Sequence, residues 1–571
     1  MSDLLRVLLL LLVFYFGLIY SIDKITGYNV NNILKEVLRF IILTTFEMIQ
    51  FIFKLIFGRR YKDKLGFMTK REKRKFLKKS NTGIVVDSDR GRLTERISCQ
   101  HLFMIAPSGA GKTQSFIWPN LAQMDNCSLI ITDPKGTTFN KYASVLAKRG
   151  FNVTALNMIT PSESFHYNPL TRCKNDYEKI DSIANAILSG HKDEFWKDNA
   201  MPMINYFSSL LLNLQDDSIK TLKNLSILID KMGSAASNKD IAEQLSSIMA
   251  ENITDDYLFN KFHAHLCTGE KTLSGIASTA GGALSKLISP ELNIISTTND
   301  LPLDSIRKEK TAIFILIPPG RSQRFYHFMS LFFTDLFNSL MEKIPGKNDL
   351  PVYCLLDEFG NISKIPEFDS IISQIREYKV SISLIVQSLS QIKNKYDKAS
   401  DIIIENCSTK IICPGLSGSV PENTSKLLGQ IKVDDPKNKY SKERPLITPP
   451  EIRMLNEEAI IICTNKKPLK VPFKPVKKNR RLKKIKGNKN YKPNWPEIND
   501  IDKTINLSNY NLDEVQEIEQ KHEKQPEQPN EEKVQSEETF DLSGSQGIFD
   551  FNSVFANASY IDDSTKTSST L

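Results

Sequence analysis

Apolar positions follow three regimes along the chain. Leu4 to Ile22 is almost unbroken apolar sequence, with only Arg6 near its start. Nineteen residues in a helix reach about 28 Å, close to the hydrocarbon thickness of a bilayer. A second run, Phe40 to Phe57, is apolar but carries Glu47, Gln50 and Lys54. Such groups inside a span face another helix or a cavity; the competing reading is an amphipathic helix lying in the interface. We read two spans. The rival for the first, a cleaved signal peptide, lacks a small-x-small cleavage site after it. From residue 100 the pattern becomes short apolar runs: His101–Ala106, Ser128–Asp133, Asn152–Asn157, Thr311–Ile317, Val352–Asp357, Ser381–Gln387 and Lys410–Cys413. Helix-period segments between them predict a mostly parallel sheet with crossover helices, hence an α/β fold. Residues 172–300 break this rhythm with helix-period segments and no strand runs, which predicts an all-helical subdomain inserted into the α/β core. After Val476 the periodicity is lost.

Charge refines this division. The net +9 is uneven: basic residues gather at Arg59 to Lys79 and at Lys466 to Lys492, whereas residues 497–571 hold 17 acids against 5 Lys. The first basic cluster follows the second apolar run, so the positive-inside rule places it, and the N-terminus, in the cytoplasm. The composition beyond residue 476 buries too little apolar surface to fold alone, which predicts a disordered tail, basic and then acidic. The expected organisation is a membrane anchor at 1–58, a basic juxtamembrane linker at 59–99, a nucleotide-binding domain at 100–171 and 301–475, the helical insertion at 172–300, and the tail at 476–571. The eight cysteines form no C-x-x-C pair and read as buried, reduced thiols of a cytosolic domain.

Candidate chemistry lies at the ends of the predicted strands. Ala106-Pro107-Ser108-Gly109-Ala110-Gly111-Lys112-Thr113 follows a strand and opens a helix. This is the phosphate-binding loop pattern: small residues let backbone N–H groups wrap phosphates, and the helix N-terminus adds its dipole. Lys112 then reaches the β- and γ-phosphates of ATP and Thr113 binds Mg2+. Asp357 and Glu358 end the apolar strand VYCLL; Asp357 suits a hold on magnesium and Glu358 polarises the attacking water. Alone, such a pair is also a common solvated strand end. Gln387 ends the next strand, where parallel sheets converge on their ligand, and is placed to sense the γ-phosphate or orient water. Arg376, on the preceding helix, either reaches a neighbouring subunit's ATP or is a surface ion-pair partner.

Several of these strings occur together in one family. The chain resembles the type IV coupling proteins (TraG/TraD-type conjugative ATPases) over roughly residues 1–470. The resemblance rests on the two apolar runs, APSGAGKT, TDPKG at 132–136, YNPL at 167–170, LLDEFGNISKIP at 355–366, REYKV at 376–380 followed by Gln387, and RPLITPPEIR at 444–453. One departure is Thr137, where the family often has Glu. The resemblance implies a RecA-like P-loop NTPase fold and ATP hydrolysis by Lys112, Thr113, Asp357, Glu358, Arg376 and Gln387. It further implies a homo-hexamer with ATP sites between subunits, anchored in the bacterial inner membrane by a multi-pass segment with the ATPase domain cytoplasmic. The implied partners are a DNA–relaxase complex or effector protein as cargo and the components of a type IV secretion channel. The alternatives are a chromosome-segregation-type DNA translocase, or a substrate receptor whose ATPase is incidental.

Overall fold

The computed structural model describes residues 66–88, 91–318, 322–434, 441–497 and 503–509, all within the unit Met1–Val515. Both expected membrane spans and residues 510–571 of the expected tail lie outside these. Among the described residues no helix is long and apolar enough to cross a membrane.

Eleven strands carry the fold: β1 Leu102–Ile105, β2 Ser128–Asp133, β3 Asn152–Asn157, β4 Thr311–Leu316, β5 Val352–Leu356, β6 Val380–Val386, β7 Thr409–Ile412, β8 Gln430–Asp434, β9 Ser441–Pro445, β10 Glu458–Cys463 and β11 Leu469–Pro472. Nine form one sheet in the order β11-β10-β7-β1-β6-β5-β2-β4-β3, and β8 with β9 forms a separate antiparallel ribbon. Strands β1 to β7 pair in parallel. β10 closes one edge antiparallel to β7 and is followed by β11. This is the α/β fold with a mostly parallel sheet that the pattern predicts; the antiparallel edge was not foreseen, although Ala459–Cys463 is itself an apolar run.

The sheet is covered on both faces, as near-continuous apolar strands require. Along β1, Phe103 and Ile105 join one core while Leu102 and Met104 join the other. β4 divides likewise, Ile313 and Ile315 against Ala312 and Phe314. The first core is shared with the helices that lie between β3 and β4, running from Pro169–Cys173 to Pro290–Ile295. Several of these helices start at a side-chain cap, such as Asp176, Thr221 and Asn238, that accepts from a backbone N–H of the first turn. The two passages into and out of this helical region are paired: Tyr167 N donates to Ile295 O at 2.8 Å, and Asn168 N to Asn299 Oδ1 at 2.8 Å.

Two segments differ from expectation. The basic linker expected at 59–99 is folded from residue 66. Lys70–Phe76 is a helix with a Thr69–Glu72 capping box, and Ile84, Val86 and Leu93 are buried in the second core. Likewise, the tail was set as disordered from 476, yet Val476 and Leu482 are buried. Asn488 N donates to Ser144 Oγ at 2.7 Å, and Trp495 lies 6.3 Å from Phe139 and 5.9 Å from Phe165, between ring centroids. Gly487 passes so close to the helix Thr137–Lys148 that a Cβ there would overlap the Lys141 carbonyl. In the second segment isolated apolar residues spaced among lysines escape a compositional reading, although Val476 and Leu482 are buried and Ile485, Tyr491 and Trp495 pack against the second core. Of the eight thiols, Cys267 is exposed and the other seven are buried.

Candidate functional site

β1 lies between β7 and β6, so the loop that follows it emerges at the centre of the sheet's carboxyl edge. Ala106 is fully buried and its N–H donates to Val386 O at 2.9 Å, extending the pairing of β1 with β6. The loop then needs two left-handed residues, which glycine adopts freely: Gly109 at φ 84° and Gly111 at φ 78°. A Cβ on Gly109 would meet nothing within 4 Å, so the loop faces an open cleft. That cleft, about 380 Å³, is lined by Ser108, Lys112, Thr113, Asp133, Asp357 and Glu358 among others. The helix behind the loop begins with a five-residue π-helical turn, Thr113–Ile117.

Lys112 and the carboxylates of the β5 end meet across the cleft. Lys112 Nζ lies 3.2 Å from Asp357 Oδ1 and 3.7 Å from Glu358 Oε1. It is buried but has no well-directed hydrogen bond. Thr113 Oγ1 donates to Asp357 Oδ2 at 3.2 Å. Burial raises the Asp357 carboxyl above its usual pKa, against the pull of Lys112. Glu358 stands at φ 56°, in the left-handed region; Asn361 Nδ2 donates to its Oε2 at 3.1 Å. On the adjacent strand end, Ser108 Oγ donates to Gln387 Oε1 at 3.1 Å. Ser108, Lys112, Thr113, Asp357, Glu358 and Gln387 therefore form one constellation.

Arg376 does not join it. It is exposed, just before β6. β6 runs parallel to β1, so the start of β6 lies at the edge of the sheet opposite the loop, about 20 Å away across seven residues.

The sequence reading also missed supporting residues. Asp133 ends β2, and its Oδ2 accepts from Thr138 N and Phe139 N, each at 2.8 Å. Burial nevertheless pushes its carboxyl up to about 6. The TDPKG string was the signal for it. Gln391 and Lys395, one turn apart on the helix Leu389–Tyr396, tie two strand ends together. Gln391 Oε1 accepts from Gln387 N at 3.0 Å, while Lys395 Nζ donates to Gly360 O at 2.6 Å and to Ile362 O. Nothing in the sequence singled these two out.

These residues fit a magnesium–nucleoside triphosphate. An open glycine-lined loop at a helix start, a buried ammonium without a directed hydrogen bond, and a hydroxyl beside a carboxylate are the groups such a ligand requires.

A family profile described as type IV secretory system conjugative DNA transfer matches residues 62–474. Among characterised proteins, VirD4 of Rhizobium rhizogenes is 22% identical over 411 residues, 67% of this chain and 60% of its own length. VirD4 of Agrobacterium fabrum is 23% identical over 411 residues, with the same coverage. The chain thus spans about 60% of the length of these relatives. Among solved structures, plasmid coupling protein TrwB in complex with the non-hydrolysable ATP analogue ADPNP superposes with a TM-score of 0.56 at 14% identity, covering 72% of this chain and 93% of TrwB. TrwB in complex with ADP and Mg2+ gives 0.53 at 15%, covering 72% and 94%. At these identities the likeness is one of fold.

Proposed function

The chain belongs to the type IV secretory system conjugative DNA-transfer family, and on that premise we propose that it is a coupling ATPase that recruits a DNA–relaxase complex or protein cargo and drives it into a secretion channel by ATP hydrolysis. The observation that carries this reading is the meeting of Lys112 with Asp357 and Glu358 beside Thr113. The nucleotide-bound TrwB structures support ATP as the ligand.

In this reading the loop amides and Lys112 bind the phosphates. Thr113 Oγ1 and Asp357 would hold Mg2+, which when bound neutralises phosphate charge. Glu358, oriented by Asn361, accepts a proton from the attacking water, and Gln387 positions that water. Arg376 serves the site of a neighbouring copy, which requires a ring; a homo-hexamer meets that need. The two N-terminal apolar runs anchor the ring in the inner membrane with the motor in the cytoplasm, and the helical region selects cargo. Glu358→Gln should leave ATP binding intact and slow hydrolysis by about 10²–10⁴-fold, the range for loss of a general base. Equilibrium nucleotide binding together with phosphate release measures this; turnover like that of the unaltered chain would remove Glu358 from the site.

A further inference from the structure

Residues 503–509 lie on the helical region in the manner of a bound peptide. Lys503, Thr504, Asn506 and Ser508 are exposed, whereas Ile505 is 5% and Leu507 2% exposed. The two buried residues stand two apart, Ile505 in irregular backbone and Leu507 at the start of a short 3-10 turn, Leu507–Asn509. Both apolar residues enter the same core as the helices.

The backbone from Lys503 to Ile505 is read by one side chain. Asn224, on the helix Leu222–Ala235, is fully buried. Its Oδ1 accepts from Ile505 N at 3.1 Å, and its Nδ2 donates to Lys503 O at 3.1 Å and to Ile219 O at 2.7 Å. The carboxamide offers a donor and an acceptor to residues two apart, as a neighbouring β-strand does. Lys503 Nζ also lies 3.7 Å from Asp216 Oδ2, a half-exposed pair of small weight, so such recognition depends mainly on main-chain geometry and on two apolar sockets.

We propose that this groove is a peptide-docking site of the helical region. Residues 503–509 fill it in the resting chain, and a cargo segment with two aliphatic residues two positions apart displaces them. That cargo is the incoming occupant rests on the coupling role proposed above; the binding of peptide does not. The tethered segment competes at an effective concentration of order millimolar, so the unaltered chain holds the groove closed to weak ligands and opens it to cargo already gathered at the machine.

The test uses the full chain and a fluorescein-labelled peptide with the sequence of residues 501–510, read by anisotropy. Ile505→Asp with Leu507→Asp frees the groove, and the peptide should bind this variant about ten-fold or more tighter than the unaltered chain. Replacing the exposed peptide residues by Ser should leave affinity within a few-fold, and placing Ile and Leu next to each other should abolish binding. A peptide N-methylated at the position of Ile505 lacks the donor that Asn224 accepts and should also fail; this arm leaves the protein unchanged. Equal affinity for both chains, or binding of the methylated peptide, overturns the site. In a transfer assay, Asn224→Ala should lower transfer at unchanged ATPase turnover, whereas Ile505→Asp with Leu507→Asp should not. An equal loss in both would assign the need to the segment and overturn cargo as the occupant. A chain with no ATPase or transfer at all would instead sink the coupling reading and leave the peptide titration standing.

Discussion

Asp133 and Asp357 end neighbouring strands, β2 and β5, and burial raises both carboxyls above their usual range. They are held differently. Lys112 and Thr113 oppose the shift at Asp357, whereas at Asp133 only backbone N–H groups do. Ionisation of either costs stability in the empty site, but at Asp133 no side-chain cation offsets the cost. The pKa of Asp133 rises from 3.8 to about 6 on folding, so the cost is absent below pH 3.8, grows as pH rises towards 6, and is fully present above it. Asn at this position does not titrate. The stability of Asp133→Asn relative to the unaltered chain should thus move in favour of Asn by about 2–3 kcal/mol between pH 4 and pH 7.5. Nucleotide-free denaturation at both pH values measures it. A gap that stays constant with pH would mean that Asp133 is ionised at no cost. The loop residues Ala106–Thr113 and the pair Asp357–Glu358 were legible in the sequence because phosphate binding admits few residue types at that spacing. Asn361, Gln391 and Lys395 were not, because orienting a neighbour through one hydrogen bond leaves no pattern.

Elements reveal themselves by how much they bury. The seven parallel strands are buried almost from end to end around apolar centres, so each is legible with its boundary within a residue or two. Ile84–Val86 is a run of only three buried apolar residues, and Leu93, Val476, Leu482, Ile505 and Leu507 are buried singly or in alternation, so a window average misses them. The helix Leu389–Tyr396 shows what an element adds to the site, since through Gln391 and Lys395 it sets the turn that carries Glu358. Gly360 lies in that turn, and a Cβ there would come within 2.6 Å of the Gln391 carboxamide and 2.9 Å of its Cβ. Gly360→Ala must displace the turn or the Gln391 side chain, without touching the phosphate loop directly. It should lower kcat for ATP about ten-fold or more, with KM changed less than about two-fold. Gly282, exposed in the helix Glu270–Leu284 with nothing within 4 Å of an added Cβ, is the control: Ala there should leave kcat unchanged and stabilise by about 0.5–1 kcal/mol. Steady-state kinetics and unfolding of the two variants decide the matter. Equal kinetics would mean that the turn does not place Glu358.

At the scale of the whole molecule, Arg376 raises a question that a single chain does not answer. It precedes β6 and so lies at the sheet edge opposite Lys112, too far to touch a phosphate held in its own cleft. An arginine that serves hydrolysis from there must do so in a neighbour's site, and a head-to-tail ring brings one subunit's far edge to the next subunit's cleft. Mixing separates this from a surface role. On the proposed roles, Glu358→Gln subunits lack the base and Arg376→Ala subunits lack the arginine, so each pure ring should be near inactive. In a mixed ring, an Arg376→Ala subunit that faces a Glu358→Gln neighbour has its own Glu358 and borrows an intact Arg376. Random equal mixing makes about a quarter of the interfaces complete, so activity should return to about a quarter of the unaltered level if sites act independently. If Arg376 acted within its own chain, no mixture would contain a complete site and activity would stay at the floor. If Arg376 were only a surface ion-pair partner, the pure Arg376→Ala ring would already be active. Subunit exchange, followed by differently labelled chains, must accompany the assay, because recovery has meaning only where mixed rings have formed.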